Sequence, residues 1–266
     1  ANAGFSLSMS SGGLVSGLRE VHASCKPYWV GTLAASDFDA EAEQHEQLKA
    51  QLTERRLHPI MLDSELYDRY YRGMSNETIW PLFHYFQSQL NFSYEDWQAY
   101  EEVNHQFAHE LAAITRSGDW VWIHDYHLML LPKILRDLKP GLHISYFHHI
   151  PFPSSDIFRI LPPRKDLLQG LLGADLVGFH SFDYARHFLA AVGRVLGKSI
   201  FIDEIYHTRR YTKVGVFPLG PNFQTIAKHV QQLEQKPQPT KLTRSFGTQF
   251  LFLGVDRLDY TKGITQ

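Results

Sequence analysis

The sequence predicts an α/β protein built on a doubly wound parallel sheet, followed by the start of a second domain of the same kind. Three observations carry this expectation. Strand-like apolar runs alternate with helical stretches across the first 235 residues. Clusters rich in His and Asp directly follow two of those strands, as His124-Asp125-Tyr126-His127 and His148-His149, at the carboxyl ends where open parallel sheets hold their ligands. Lys236-Pro237-Gln238-Pro239-Thr240 then makes a joint that no helix continues through, and a new apolar strand follows it, Phe250 to Val255. The boundaries read as 1–235 for the first domain, 236–248 for the linker and 249–266 for the first strand and turn of the second.

The elements follow in order. Phe5, Leu7 and Met9 alternate with serines as a strand does, and Ser10-Ser11-Gly12-Gly13 turns into a helical segment from Leu14 to Leu18. Tyr28 to Leu33 reads as a strand, Ala40 to Arg56 as an exposed helix and His58 to Leu62 as a short strand. An aromatic stretch runs from Glu65 to Phe86, and Asp96 to Ile114 carries apolar residues at helical spacing. Trp120 to Ile123, Leu128 to Lys139 and His143 to Phe147 make a strand–helix–strand unit. A helix (Asp166 to Leu172), a strand (Leu176 to Phe179) and a helix (Tyr184 to Leu196) come next. Ser199 to Gly220 reads as a hairpin around Thr208-Arg209-Arg210, and Phe223 to Leu233 as a helix.

Composition narrows the class. With 266 residues, 44% hydrophobic and 20% charged, the chain is of globular type rather than disordered. A net charge of −2 with scattered Lys and Arg gives no basic stripe for nucleic acid. No apolar run approaches the roughly 20 residues of a membrane span. Cys25 is the one cysteine, which fits a reducing, cytoplasmic compartment. The start at Ala1 and the stop at Gln266 directly after a strand read as an excerpt of something longer.

Each motif has a chemical reading and a plain one. Ser11-Gly12-Gly13-Leu14 opens a helix, so its backbone amides can approach an anion; it equally serves as a tight turn, and no Walker Lys-Ser/Thr follows. Asp256-Arg257-Leu258-Asp259-Tyr260-Thr261-Lys262-Gly263 places two cations five residues apart, suited to a departing diphosphate; the alternative is a solvated turn in which Arg257 pairs with Asp256 or Asp259. Histidines are abundant, fifteen in all, but no third-ligand pattern supports a metal. Tyr70, Tyr71 and Trp80 suit either a core or a sugar platform. No Gly-x-Ser-x-Gly elbow is present.

The joint order of these motifs resembles the trehalose-6-phosphate synthase family of retaining glycosyltransferases, from about Phe5 to Gly263. The run comprises Ser-Gly-Gly-Leu; Tyr71 with Trp80-Pro81-Leu82-Phe83-His84-Tyr85; Trp122-Ile123-His124-Asp125-Tyr126-His127-Leu128; His148-His149-Ile150-Pro151-Phe152-Pro153 continuing to Phe158; Asp175-Leu176-Val177-Gly178-Phe179-His180 with Asp183-Tyr184-Ala185-Arg186-His187-Phe188; and Val255 to Gly263. The resemblance implies a glycosyltransferase-B fold of two Rossmann-like domains, of which this chain holds the N-terminal half, and transfer from UDP-glucose to glucose 6-phosphate without a cofactor or metal. It implies that Gly12 and Gly13 lie near the donor phosphates, that Tyr71 and Trp80 belong to the acceptor pocket, that Asp125 and His149 line the reacting centre, and that Arg257 and Lys262 hold the diphosphate. Nucleotide-sugar and sugar phosphate are the implied ligands, with nucleic acid and membrane excluded; a homo-oligomer or a synthase–phosphatase complex stays open. Gly220-Pro221-Asn222 stands where the family has Gly-Ile-Asp. The alternatives are glucosylglycerol-phosphate synthase and a non-catalytic or regulatory subunit, and the 266 residues alone are expected to bind glucose 6-phosphate weakly without transfer.

Overall fold

The computed structural model describes residues 17–18, 24–25, 27–34, 48, 50–207, 210–234 and 254–264. A parallel pair, β1 (Trp29–Ala34) and β2 (Leu57–Leu62), precedes the main sheet. That sheet has six strands in the order β3 (Trp120–His124), β4 (His143–His148), β5 (Leu176–Phe179), β8 (Tyr211–Val216), β7 (Glu204–Tyr206), β6 (Ile200–Phe201). The first four are parallel and the last two antiparallel. The expected hairpin is therefore β7–β8; its tip, Thr208-Arg209, lies outside the described residues.

Between β2 and β3 the chain is helical twice. α1 covers residues 64–83 and is wound with wide turns from Asp68 to Ile79. Asp63 caps its start, its carboxylate accepting from the Leu66 amide at 2.8 Å. Two local causes account for the widening. The Ser75 hydroxyl donates to the buried Tyr70 carbonyl at 2.8 Å, and Pro81 has no N–H to offer, so the Glu77 carbonyl accepts from Asn91 instead, at 3.0 Å. α2 (Tyr94–Ile114) is capped by Ser93, with Glu95 and Asp96 in its first turn. The two helices meet at Gly73, where any Cβ would stand 2.5 Å from the Asp96 carboxylate.

The remaining helices alternate with the strands: α3 (Leu131–Leu138), α4 (Ser155–Phe158), α5 (Arg164–Leu171), α6 (Phe182–Ala191, continued by Val192–Leu196) and α7 (Phe223–Glu234). α3 and α5 press so closely that Gly170 and Gly173 touch the backbone of residues 129–133. One apolar cluster joins α1 to α6 with β3, β4, β5 and β8, centred on Tyr100, Tyr146, Phe152, Phe158, Phe179 and Phe188.

Two expectations need correction. Leu48 and residues 50–54 are helical as expected, but this helix is not simply exposed: Leu48 and Leu52, one turn apart, are 2% and 6% accessible. Gly254 and Val255, expected at the end of a strand, are not in one, and Val255 is exposed; positions 249–253, the linker, the first strand and Gly12-Gly13 lie outside the described residues. Gly-Pro-Asn finds a local role, since Asn222 accepts the Thr225 amide at 2.9 Å at the start of α7, as an aspartate would.

Candidate active site

Register places the histidines. His124 pairs with Phe147 across β3–β4, and His148 with Phe179 across β4–β5. His124, His149 and His180 thus stand at or just beyond the carboxyl ends of adjacent strands. Nδ1 of His124 is 3.0 Å from Nε2 of His149, and the rings of His149 and His180 are 5.5 Å apart. Trp122 lies under His124, with centroids 4.5 Å apart. Phe147 lies under His149 at 4.6 Å and touches His180 at 5.0 Å. Burial on this carbon floor lowers the pKa of His124 to about 4 and, joined by the repulsion of His124 and His180, that of His149 to about 3.

Asp125 begins the loop after β3 with φ 72° and ψ 172°, a region that glycine alone enters without steric cost. Its environment holds it there. The Asp125 amide donates to the Phe147 carbonyl at 2.8 Å. Its carboxylate Oδ1 accepts from the amides of Tyr126 (3.0 Å) and His149 (3.1 Å). The side chain thereby clasps the loop after β4 to the loop after β3. Burial raises its pKa to about 6, against the pull of the Tyr126, His149 and Ile150 amides.

α2 supplies the rest of the loop's support. The Tyr100 hydroxyl donates to the Tyr126 carbonyl at 2.6 Å and accepts from the Met129 amide at 3.0 Å. Asn104 donates to the His127 carbonyl at 3.2 Å and accepts from the Leu131 amide at 3.0 Å. The loop after β4 is tied from other sides: Ser154 donates to the Tyr85 hydroxyl at 2.9 Å, His187 bonds the Phe152 carbonyl at 3.0 Å, and Arg194 donates to Ser155 at 2.6 Å.

Aromatic residues of α1 form the adjoining wall. Tyr71, 37% exposed, stacks on His127 with 5.3 Å between centroids and 9° between planes. Its hydroxyl has no partner among the described residues. Trp80 packs on His84 (4.1 Å) and on Tyr126 (5.7 Å), and the Tyr126 hydroxyl donates to Asn76 at 2.9 Å. The rings of His127 and His148 stay neutral, their Nε2 atoms buried without a partner among the described residues and their pKa values lowered by burial to about 4 and about 3.

The turn 256–263 borders the same wall. Tyr260 meets Phe86 edge-on at 4.9 Å, and the charges of Asp259 and Lys262 are felt at His84 and that of Arg257 at Tyr126. Asp259 caps the short helical turn Tyr260–Lys262, and Gly263 ends it at φ 65°. The plain reading of this turn, Arg257 paired with Asp256 or Asp259, is met only in part: no ion pair of the Arg257 side chain within 4.0 Å occurs among the described residues, yet its charge helps hold the Asp259 carboxyl below its usual range. Lys262 pairs with Asp256 at 3.8 Å, while the exposed Arg257 offers only its backbone amide to Asp256.

Of the residues expected from sequence, Asp125, His149, Tyr71 and Trp80 come together, Arg257 and Lys262 lie alongside, and Gly12 and Gly13 lie outside the described residues. Sequence reasoning missed the placement of His180, Asn76 and Tyr100. The first sits directly after a strand, which was a usable signal; the other two act across the fold. A cavity of about 520 Å³ also reaches His149, over Trp122, Phe147 and Phe217. Its walls are almost entirely carbon, whereas a sugar needs donors and acceptors, so the polar rim at Asp125 and His149 is the better site.

A sheet whose four parallel strands carry polar side chains at their carboxyl edge, with helices between them, defines a Rossmann-like α/β domain. The pattern of glycosyltransferase family 20 matches residues 1–266, and the chain belongs to that family. Aspergillus fumigatus alpha,alpha-trehalose-phosphate synthase [UDP-forming] 1 is 43% identical over 276 residues, covering 98% of this chain and 51% of its own length. The chain spans about half the length of the curated relatives it matches. Among solved structures it is similar to trehalose-6-phosphate from E. coli bound with UDP-2-fluoro glucose, with a TM-score of 0.72, 26% identity, and coverage of 90% of this chain and 52% of that one. It is likewise similar to an alpha,alpha-trehalose-phosphate synthase (UDP-forming) from Burkholderia xenovorans in complex with glucose-6-phosphate, with a TM-score of 0.71, 26% identity, and coverage of 90% and 53%.

Proposed function

We propose that the protein transfers glucose from UDP-glucose to glucose 6-phosphate, giving α,α-trehalose 6-phosphate and UDP with retention at the anomeric carbon, in a cytoplasmic setting. The observation that carries the reading is the clasp of Asp125 on His149 at adjacent strand ends, beside an aromatic wall and two cations, in a chain of family 20. The names of the relatives support both substrates.

In this reading Tyr71 and Trp80 hold the acceptor, the hydroxyl of Tyr71 meeting its phosphate. Asp125 and His149 orient hydroxyls at the reacting centre. The acceptor hydroxyl attacks the anomeric carbon on the face that the departing diphosphate vacates. The new C–O bond forms as the old one breaks, and the leaving phosphate oxygen takes the hydroxyl's proton. Arg257 and Lys262, with the backbone at Gly12 and Gly13, stabilise the charge that builds on that oxygen. Position and charge do the work, with neither an enzymic nucleophile nor a metal.

The test is acceptor-dependent UDP release with identification of the product, using the chain joined to the second half that its relatives possess. Glucose 6-phosphate should release UDP and yield an α,α-linked disaccharide phosphate. Preference for glycerol 3-phosphate would overturn the acceptor, and no release with any sugar phosphate would overturn the activity.

A further inference from the structure

His124 bonds to the candidate reacting centre but has no part in the clasp. Its Nδ1 reaches Nε2 of His149 at 3.0 Å, and its ring rests on Trp122. Two neutral imidazoles can share such a bond only if one nitrogen carries a proton and the other does not, so the tautomers are complementary. We propose that His124 is a positioning residue for His149: it occupies Nε2, ties the tautomer of that ring to its own, holds the ring orientation, and leaves Nδ1 of His149 as the nitrogen that meets a sugar hydroxyl.

Four further contacts favour this assignment over a purely structural histidine. The backbone of His149 is already anchored, its amide donating to Asp125, so its side-chain rotation is what remains to be set. Phe147 and His180 limit that rotation by packing, at 4.6 and 5.5 Å between centroids, but packing cannot choose a tautomer. His180 cannot choose it through Nδ1, which accepts the Leu219 amide at 3.3 Å. Among the described residues, His124 is the side chain that hydrogen-bonds to the ring.

The inference rests on the transferase reading for what Nδ1 meets, but the tautomer is measurable without turnover. Long-range proton–nitrogen correlation spectra of ring-labelled histidine, with His149 assigned through His149→Gln, report which nitrogen carries the proton. The parent chain should show His149 in one tautomer. His124→Asn, whose amide nitrogen falls near the place of Nδ1, should keep it. His124→Phe should give averaged tautomers. His124→Gln stays polar and of similar bulk but moves its amide away from His149, and should also give averaging; it carries the test if the phenylalanine variant does not fold. His149 signals unchanged in folded His124→Gln would overturn the proposal. With the second half joined, His124→Gln should lower kcat by about tenfold or more, the scale of a small misplacement at a reacting centre. The KM for glucose 6-phosphate should stay within about twofold of the parent, and His124→Asn should recover most of the loss. A change confined to KM would also overturn it. Absence of turnover in every protein, the parent included, would refute the functional reading and leave the tautomer result to decide the role of His124.

Discussion

The hydroxyl of Tyr100 joins two points of the loop that presents Asp125: it donates to the Tyr126 carbonyl at 2.6 Å and accepts from the Met129 amide at 3.0 Å. All three groups are buried, so removing the hydroxyl strands a carbonyl and an amide together. Tyr100→Phe keeps the ring and should cost about 2 kcal/mol of stability, the usual penalty for buried groups left unpaired. Urea unfolding checks this. A loss below about 0.5 kcal/mol would show that the loop finds other partners.

The backbone at Asp125 gives a second test. At φ 72° and ψ 172°, any side chain carries a steric cost of order 1–3 kcal/mol. Asp125→Ala and Asp125→Gly both delete the carboxylate, so their difference isolates that cost. The glycine variant should be the more stable by about 1 kcal/mol or more, although glycine ordinarily costs about that much relative to alanine. Equal stabilities, or a more stable alanine variant, would contradict the strained geometry. Both variants should lose transfer activity.

Acid stability follows from the neutral histidines. His124 and His127 have pKa values near 4, and His148 and His149 near 3, all lowered by burial. Below their unfolded value of about 6.5, the unfolded chain binds protons that the folded chain refuses, so stability falls with pH. Asp125 acts in the opposite sense. With its folded pKa raised to about 6, its contribution is full below an unfolded value of about 3.9 and is lost as pH rises through about 6. Four histidines outweigh one carboxyl, and each uncompensated proton is worth roughly 1.4 kcal/mol per pH unit. Unfolding at pH 7 and pH 5 should differ by several kcal/mol, with the acid sample weaker. A flat profile would mean that these rings are not held neutral.

Arg257 and Lys262 test the charge argument. Both are exposed, and the ion pair of Lys262 with Asp256 is long, at 3.8 Å, so either residue should become alanine within about 0.5 kcal/mol of parental stability. Turnover with the second half joined should nevertheless drop by about two to three orders of magnitude, the scale for losing one preorganised charge-stabilising donor. Activity within threefold of the parent would return this turn to an ordinary solvated loop.

Much of this was readable in the sequence because its signals are local. β3, β4 and β5 announce themselves as short apolar runs, and the His and Asp residues directly after them fall at the carboxyl edge by the rule for parallel sheets. What could not be read depends on contacts across the fold. Tyr100 reaches Tyr126 over 26 positions, inside a helix whose spacing marks that tyrosine only as apolar core. The wide turns of α1 arise from Ser75, Pro81 and the partner amide of Asn91 acting together. The positive φ of Asp125 is invisible because the residue is not glycine, and a pairing such as His124 with His149 needs the register before it can be seen.

The central claim is that the Tyr71–Asp125–His149 surface receives a sugar phosphate, and calorimetric titration of glucose 6-phosphate into this chain tests it most directly. Tyr71→Phe is the paired sample, because the ring and its stack on His127 remain while a hydroxyl without a partner among the described residues is lost. The parent should bind, however weakly, and the variant should bind with an affinity lower by roughly tenfold or more, as for a lost hydrogen bond to a charged group. Equal affinities in parent and variant, or tighter binding of glycerol 3-phosphate than of glucose 6-phosphate, would contradict it.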